Sequence, residues 1–452
     1  MKTTSALQND LTQGSVLRQL VKYAIPMVTS SLLQALYSMA DMIIAGHYIG
    51  SAGISAINNA SQMMGLITNF AIGLTVGGNI LIGQYFGSGE RVRRAHATGT
   101  LITLSMLLAV LGAIGVYLGA PAMLTALGAP SLVEATSYLR ICALGMPFIF
   151  GYNALSAVLR AVGNSKQPLY FVAVSTCLNV VLDLILVGGV RMGTGGAALA
   201  TVISQGVSFA LALFFLLRSR EVFGLSWDSL RLRWRELRMI LRLGIPSSLQ
   251  MIIGSISWLT VTFLINGYGV DVSAGNGVSI KIKDFCGLFI SAMANGAATM
   301  IAQNLGARLF DRAKRVMYTA MGITLVMAVF IIAVVELFAP HLARLFTDEP
   351  AVIDAAVRNL RIEIISEVFY AMFLVYHALA IGAGHAIFAM SSSFVNCILV
   401  RVILAFLFNR WWGITGVYLA CMIAPSSSVP LGMWYTRSGL WRRSLADEEK
   451  AV

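Results

Sequence analysis

Long apolar segments follow one another along the whole chain, separated only by short polar breaks. Each has about 20 residues or more, the length of α-helix that crosses roughly 30 Å of hydrocarbon. Segments such as 101–118 lack the alternating polarity of a membrane β-strand. The pattern predicts an all-α membrane protein with twelve transmembrane helices, at about 20–46, 53–83, 97–120, 136–160, 168–189, 195–218, 240–268, 275–304, 316–340, 360–382, 387–409 and 414–435.

Positive charge is concentrated in every second loop. These basic stretches lie at 91–94, 166, 218–242, 308–315 and 437–443. The opposite loops hold few positive charges besides Arg344 and Arg358, which acidic residues at 348–354 balance. Because cytoplasmic loops are enriched in Lys and Arg, both termini are expected in the cytoplasm of a bacterial-type inner (plasma) membrane. The polar stretch 1–14 lacks the apolar core of a signal peptide, so the first helix is expected to remain in the mature protein.

The two halves of the chain resemble each other. Four short anchors recur in the same order at offsets of 219 to 221 residues, namely 23–26 with 243–246, 83–87 with 302–306, 138–141 with 359–362, and 193–196 with 413–416. We therefore predict an N-lobe at 1–218, a basic cytoplasmic linker at 219–239, and a C-lobe with a cytoplasmic tail at 240–452. Six helices per half imply parallel lobes related by a pseudo-two-fold axis along the membrane normal. Glycines at 73 and 77 are expected to let helices approach closely.

Composition narrows the class of protein. The chain is 58% hydrophobic and 12% charged, with a mean hydropathy of +0.79, which excludes an ordinary soluble protein. Its net charge of +12 resides in loops, where membrane topology explains it, so no nucleic-acid partner is expected. The five cysteines are scattered without pair or metal spacing, so neither disulfides nor zinc are predicted.

Ionisable residues inside the apolar segments are the candidates for chemistry, because each costs at least about 2.5 kcal/mol at the bilayer centre. Asp41 lies about 27 Å along the outward-running first helix, and Asp183 about 22 Å along the fifth, so their depths are similar. Asn179 is one turn before Asp183, and Thr201 lies one to two turns into the inward-running sixth helix, again at outer depth. Their carboxylate, amide and hydroxyl oxygens are the ligands that a hard cation prefers. The sequence therefore predicts a cation-binding site in the first half.

The residues leave the identity of that cation open between sodium and a proton, because two close carboxylates in a low dielectric also retain a proton. A purely structural role in helix packing is the alternative. The repeat offers an internal comparison, since Asp41, Asn179, Asp183 and Thr201 correspond to Val261, Val400, Leu404 and Cys421. The joint loss of these polar groups in the copy favours a specialised site in the first half.

The second half has its own intramembrane charges, at Lys281, Lys283, Asp284, Glu363, Glu367 and Arg401. Lys281 and Asp284 are three residues apart, and Glu363 and Glu367 four apart, so each pair is expected to share a helix face. We predict that these charges neutralise one another, with Glu367 paired to Arg401 on the adjacent helix. A role facing the substrate is the alternative.

Several ordered motifs resemble the multidrug and toxic compound extrusion (MATE) transporters. They are the 26–46 stretch with Gln34, Tyr37 and Asp41, the turn at 83–87, the segment 159–168, the segment 179–183 and the glycine- and alanine-rich start of the sixth helix at 195–201. The resemblance covers essentially the whole chain. It implies two lobes and antiport of organic, often cationic or amphiphilic aromatic compounds against H⁺ or Na⁺, without another cofactor, by a monomer in the lipid bilayer.

The resemblance also assigns residues. Asp41, Asn179, Asp183 and Thr201 would hold the coupling cation, H⁺ or Na⁺, while Gln34, Tyr37 and Asn153 would line the substrate pathway. Gln250 stands near the position where one branch of the family has a carboxylate in the seventh helix. This departure makes the chain more similar to the DinF-like branch.

A flippase and an intramembrane enzyme are two alternatives to a drug transporter. A flippase for lipids or lipid-linked oligosaccharides would need basic residues in its lumen, and Lys281, Lys283 and Arg401 keep that alternative open. An intramembrane enzyme would need a nucleophile with a base or a metal motif, and none of these patterns occurs in the sequence.

Overall fold

The computed structural model describes residues 9–126, 132–223 and 226–442, which are helical with short turns and contain no strand within these ranges. The first eight residues of the polar N-terminal stretch, part of the linker at 224–225, and Arg443 of the basic tail lie outside the described residues.

The described part of the chain contains twelve long apolar helices. They are α1 (Val16–Gly50), α2 (Ser55–Gly87), α3 (Arg91–Ala126), α4 (Leu132–Leu144 with Met146–Ala161), α5 (Lys166–Gly189), α6 (Gly193–Arg218), α7 (Trp234–Asn266), α8 (Val270–Gly306), α9 (Phe310–Arg344), α10 (Pro350–Ala383), α11 (386–412) and α12 (414–438). The two segments of α4 meet at a bend of 48°. The predicted number and order of spans are confirmed.

Two glycines divide helical runs that are otherwise continuous. At Gly50, φ is 79° and ψ is −172°, so α1 ends there and α2 begins a few residues later. The run Ala386–Ser438 has 53 residues, about 80 Å of helix and far more than one membrane span. Gly413, with φ of 57° and ψ of −141°, breaks that run into α11 and α12. A positive φ of this kind is inexpensive for glycine because it has no Cβ.

The chain forms two compact units. Among the described residues, the first lobe comprises 9–10 and Ile25–Ser248, and the second comprises Leu11–Ala24 and 249–442. The start of α7 therefore packs within the first lobe, and the start of α1 within the second. Each division falls close to a proline inside the helix, Pro26 in α1 and Pro246 in α7.

The glycine prediction for α2 is confirmed within the first lobe. A Cβ at Gly77 would lie 2.7 Å from both the Gly244 nitrogen and the Ile240 oxygen, and one at Gly73 would lie 2.5 Å from the Ser248 backbone. Only glycine allows the backbones of α2 and α7 to approach this closely.

The internal repeat extends to backbone conformation. Positive φ values recur at positions 219 to 221 residues apart, in the pairs Gly50 (79°) with Gly269 (104°), Gly89 (77°) with Arg308 (59°), Gly163 (81°) with Gly384 (94°), and Gly193 (60°) with Gly413 (57°). At four equivalent connections between helices, the backbone therefore has a positive φ in both halves.

The predicted linker packs on the first lobe in its described part. A short helix at Arg220–Phe223 precedes a 3₁₀ turn at Trp227–Leu230. Thr103 of α3 donates to the Leu230 carbonyl at 2.6 Å, and the Arg233 amide donates to Thr100 at 3.3 Å. This segment is therefore anchored to α3 by hydrogen bonds.

Candidate cation and substrate site

The four predicted cation-site residues come together in the first lobe. In the amide orientation that satisfies both of its ends, Asn179 of α5 donates to Asp183 Oδ2 at 2.9 Å and accepts from the Thr201 amide at 3.3 Å. Asp41 of α1 lies within hydrogen-bonding reach of the Asp183 carboxyl group. Asp183 is fully buried and Asp41 half-buried. Three helices thus place two carboxyl groups side by side.

Each of these carboxyl groups has an unsatisfied oxygen. Oδ1 of Asp41 and Oδ1 of Asp183 are buried and have no hydrogen-bond partner among the described residues. Two adjacent buried carboxylates repel each other and lose hydration, so they require a proton or a cation between them. The free oxygens fit either a shared proton or a hard monovalent ion such as Na⁺.

Tyr37 connects this pair to the space beside it. It lies one helical turn before Asp41, on the same face of α1, and its hydroxyl is 3.1 Å from Thr201 Oγ1. The sequence assigned Thr201 to the cation and Tyr37 to the substrate pathway. The structure instead joins the two hydroxyl groups in one hydrogen bond.

A cavity of about 290 Å³ opens next to the pair, entirely within the first lobe. Its lining includes Gln34, Tyr37 and Asn153, together with Asn179 and Thr201. The lining is rich in amides and hydroxyls and includes no charged side chain among the described residues, so the two carboxyl groups lie behind it. Asn179, Tyr37 and Thr201 all line the cavity and are joined by hydrogen bonds, and Asn179 connects them to Asp183.

Sequence reasoning missed much of this polar lining. The additional residues are Ser38, Thr68, Ser175, Thr176, Ser204, Gln205 and Ser208. On α6, positions 201, 204, 205 and 208 recur with the helical period and form one polar stripe on an otherwise apolar helix. That periodicity in the sequence could have identified the polar face of α6. Ser204 is buried, and its hydroxyl has no partner within the part of the chain that the structure describes.

The second-lobe charges pair differently from the prediction. Lys283 forms an ion pair with Glu363, and the two side chains are 11% and 2% exposed. The Arg401 guanidinium lies 4.7 Å from the Trp258 ring centroid instead of pairing with Glu367. Glu367 is buried, and its Oε2 has no hydrogen-bond partner among the described residues. Lys281 and Asp284 are exposed. The predicted pairing of Glu367 with Arg401 is therefore wrong.

A local change in helix type explains part of this error. The 3₁₀ segment Ile364–Ser366 separates Glu363 from Glu367. With three residues per turn, four steps rotate a side chain by about 120° from its starting direction, instead of the 40° of an α-helix. This rotation separates the directions of the two side chains, although both acids lie within electrostatic range of Lys283.

Gln250, at the position of the expected seventh-helix carboxylate, hydrogen-bonds to His377 Nδ1 at 2.9 Å. His377 is buried, and its ring centroid lies 4.0 Å from that of Phe373 at an interplanar angle of 51°. This part of the second lobe therefore has an amide and an imidazole where one branch of the resembled family has an acid.

Comparison with known proteins identifies the family. The MatE family model matches the chain twice, over residues 26–185 and 246–407, so the chain belongs to the MatE family. The two matches begin 220 residues apart, in agreement with the repeat found in the sequence.

Relatives match over almost their whole length. The chain is 30% identical to "Probable multidrug resistance protein YpnP" of Bacillus subtilis (strain 168), over 98% of this chain and 99% of that protein. It is 24% identical to "Multidrug export protein MepA" of Staphylococcus aureus (strain N315), over 92% of each.

Solved structures share the fold. "Crystal structure of MATE P26A mutant" matches with a TM-score of 0.90 at 23% identity, covering 97% of this chain and 98% of that one. "Outward-facing conformation of a multidrug resistance MATE family transporter of the MOP superfamily" matches with a TM-score of 0.89 at 22% identity, covering 95% and 96%. The predicted all-helical, two-lobed transporter fold is confirmed.

Proposed function

We propose that this chain exports small organic compounds, including cationic and amphiphilic aromatic drugs, in exchange for H⁺ or Na⁺ by alternating access. The observation that carries the proposal is the Asp41–Asp183 pair, with its unsatisfied oxygens, directly behind a polar cavity. The names of its relatives, a multidrug export protein and a multidrug resistance protein, agree with this substrate class.

The coupling mechanism follows from the residues shared by the two sites. A cation or proton that enters from outside binds between Asp41 and Asp183 and neutralises their charge. A cationic substrate in the cavity is attracted by the same charge, so the two compete. Asn179 lines the cavity and donates to Asp183, and Tyr37 and Thr201 extend this hydrogen-bond network along the cavity wall. We expect the network to rearrange when the carboxyl groups are neutralised. Transport then requires only that the two access states differ in affinity for the ion and for the substrate.

The cavity supports selection by polarity more than by shape. Its volume of about 290 Å³ is at the lower end of small-molecule sites. Amide and hydroxyl groups can exchange donor and acceptor roles, which suits substrates with varied polar groups. A flippase is less well supported, because Lys283 is neutralised by Glu363 and Arg401 is stacked on Trp258.

The chain is multi-pass, and we place it in a bacterial inner membrane with both termini in the cytoplasm. The basic loops support this orientation. The DinF-like assignment, which rests on Gln250, and the monomeric state also stay predictions.

Reconstitution into liposomes tests the function. Uptake of one fluorescent organic cation is driven first by a sodium gradient and then by a proton gradient, and one of the two is expected to support transport. Asp41→Asn and Asp183→Asn should abolish ion-driven transport without preventing membrane insertion. Asp271→Asn, an exposed acid in the first turn of α8, is the matched control. Wild-type rates in both site variants would rule out the proposed coupling site.

A further inference from the structure

The second lobe has an apolar core where the first lobe has its carboxyl pair. Val261, Leu404 and Cys421 correspond by the repeat to Asp41, Asp183 and Thr201. In the structure, buried Val261 and Cys421 belong to one hydrophobic cluster, and Leu404 packs against it. No carboxylate replaces Asp41 or Asp183 at these equivalent positions.

An ion pair lies at the edge of this core. The ammonium group of Lys283 on α8 contacts the carboxylate of Glu363 on α10, and Glu363 is almost completely buried. The Cys421 thiol of the apolar core lies beside the same carboxylate. The second lobe therefore has a buried acid next to the equivalent of the first-lobe site, and its own lysine neutralises that acid.

Neither member of the pair has a charged counterpart in the first lobe. At the repeat offsets of 219 and 221, Lys283 corresponds to Met64 and Glu363 to Cys142. Met64 and Cys142 are both buried members of one apolar cluster. The lysine and the glutamate are therefore features of the second lobe alone, and each would be costly in the membrane without the other.

The surroundings hold the lysine in place. Lys283 Nζ lies 4.8 Å from the Trp258 ring centroid, and Arg401 lies 4.7 Å from the same centroid. Such cation–π contacts favour a cation at a fixed position. The acidic groups Glu367 and Asp284 also lie within electrostatic range of the Lys283 ammonium. Arg401 is a like charge at the same ring, and the neighbouring acids offset its repulsion of the Lys283 ammonium.

We infer that Lys283 is a tethered counter-cation, whose ammonium permanently fills a cation site that Glu363 forms in the second lobe. The first lobe leaves its carboxylates to an exchangeable ion, whereas the second lobe supplies its cation covalently. Removing the lysine side chain should expose a site for Na⁺ or for a primary alkylammonium ion. This inference does not depend on the proposed transport activity.

The test uses Lys283→Ala in the purified full chain. The atoms removed are a propylammonium group, so propylammonium is the matched probe, with Na⁺ as a second probe and tetramethylammonium as a control that cannot donate a hydrogen bond. We expect propylammonium to raise the unfolding midpoint of Lys283→Ala by about 2 °C or more. Wild type and Lys281→Ala, which removes an exposed lysine outside the ion pair, should not respond in this way.

The double variant Lys283→Ala/Glu363→Gln tests whether the propylammonium response depends on the Glu363 carboxylate. It should lose the propylammonium response and unfold at a higher temperature than Lys283→Ala, because no buried charge remains unpaired. If Lys283→Ala alone cannot be purified folded, recovery of the double variant supports the inference, and its failure to fold contradicts it. A folded Lys283→Ala that does not respond, or a response that survives Glu363→Gln, overturns the inference.

This experiment is separate from the test of transport. The response is expected to persist in an Asp183→Asn background, because the first-lobe carboxyl pair takes no part in it. Loss of ion-driven efflux and loss of the propylammonium response can therefore be told apart.

Discussion

The two lobes share a helix pattern, but the carboxyl pair of the first lobe and the Lys283–Glu363 ion pair of the second lie on non-equivalent helices. In the first lobe, Asp41 and Asp183 lie on α1 and α5, and the equivalents of the second-lobe ion pair are apolar. In the second lobe, Lys283 and Glu363 lie on α8 and α10, and the equivalents of the first-lobe acids are apolar. Among the described residues, the charged pair of each half therefore has only apolar counterparts in the other half. The packing of the repeat was retained while its electrostatics diverged.

We expect the largest effect, a loss of ion-driven efflux, when the first-lobe residue Asp183 is replaced by its second-lobe equivalent. Asp183→Leu introduces the residue found at position 404 and removes one of the two facing carboxyl groups. Ion-driven efflux should fall by about 100-fold, the size of a large coupling free energy, because the cation loses half of its site. Efflux in liposomes measures the effect, and the unfolding midpoint should not fall. Efflux within twofold of wild type would show that the lobes do not differ in coupling.

The reverse exchange should act on stability. Leu404→Asp introduces a carboxyl group into the apolar cluster of the second lobe, where no Asn179 equivalent is present, since Val400 stands there. We expect a loss of about 3 kcal/mol in the free energy of unfolding. Thermal unfolding of the purified protein measures this loss. Leu404→Ala controls for the lost volume, and equal midpoints for the two variants would contradict the expected desolvation cost.

A smaller effect should separate two equivalent glycines. Gly77 in α2 corresponds to Gly296 in α8. A Cβ at Gly77 would lie 2.7 Å from backbone atoms of α7, whereas one at Gly296 would come no closer than 3.4 Å, to the Tyr23 ring. Gly77→Ala should therefore destabilise the protein by about 1 to 3 kcal/mol, and Gly296→Ala by less. Unfolding midpoints compare the two directly, and the opposite order would refute this difference in packing.

The smallest effects concern two hydroxyl groups at equivalent positions. Tyr37→Phe removes the hydrogen bond to Thr201, and we expect transport to weaken by about 3- to 10-fold, equivalent to roughly one hydrogen bond. Ser257, at the corresponding place in the second lobe, donates to the Cys397 carbonyl at 2.6 Å. Ser257→Ala should lower stability by about 1 kcal/mol while efflux per folded molecule is retained. Transport assays and unfolding midpoints on both variants test this separation.

The sequence predicted the helices well because membrane insertion depends on the local apolar character of about 20 residues. It was less accurate where helices change type. The segment 364–366 is a 3₁₀ turn in the middle of α10. Its sequence, Ile-Ile-Ser, contains no residue that predicts such a turn. Lys283 pairs with Glu363, and Arg401 lies over Trp258 instead of pairing with Glu367.

The candidate site was predicted in outline and missed in detail. Asp41, Asn179 and Asp183 were found because buried polar groups are conspicuous in apolar helices. Ser204, Gln205 and Ser208 were missed because serine and glutamine are common in membrane helices and carry little signal individually. Their shared stripe became informative once α6 was seen to line a cavity.

The sequence by itself determined the number of helices, the repeat and the identity of the charged residues that must be compensated, because these depend on composition and spacing along the chain. Only the tertiary structure decided which groups compensate one another. The rotation and packing of each helix determine that Asp41 lies close to Asp183. The same geometry determines that Lys283 forms its ion pair with Glu363 instead of Glu367. Small differences in rotation move a side chain to another face, and short-range electrostatic contacts follow that geometry.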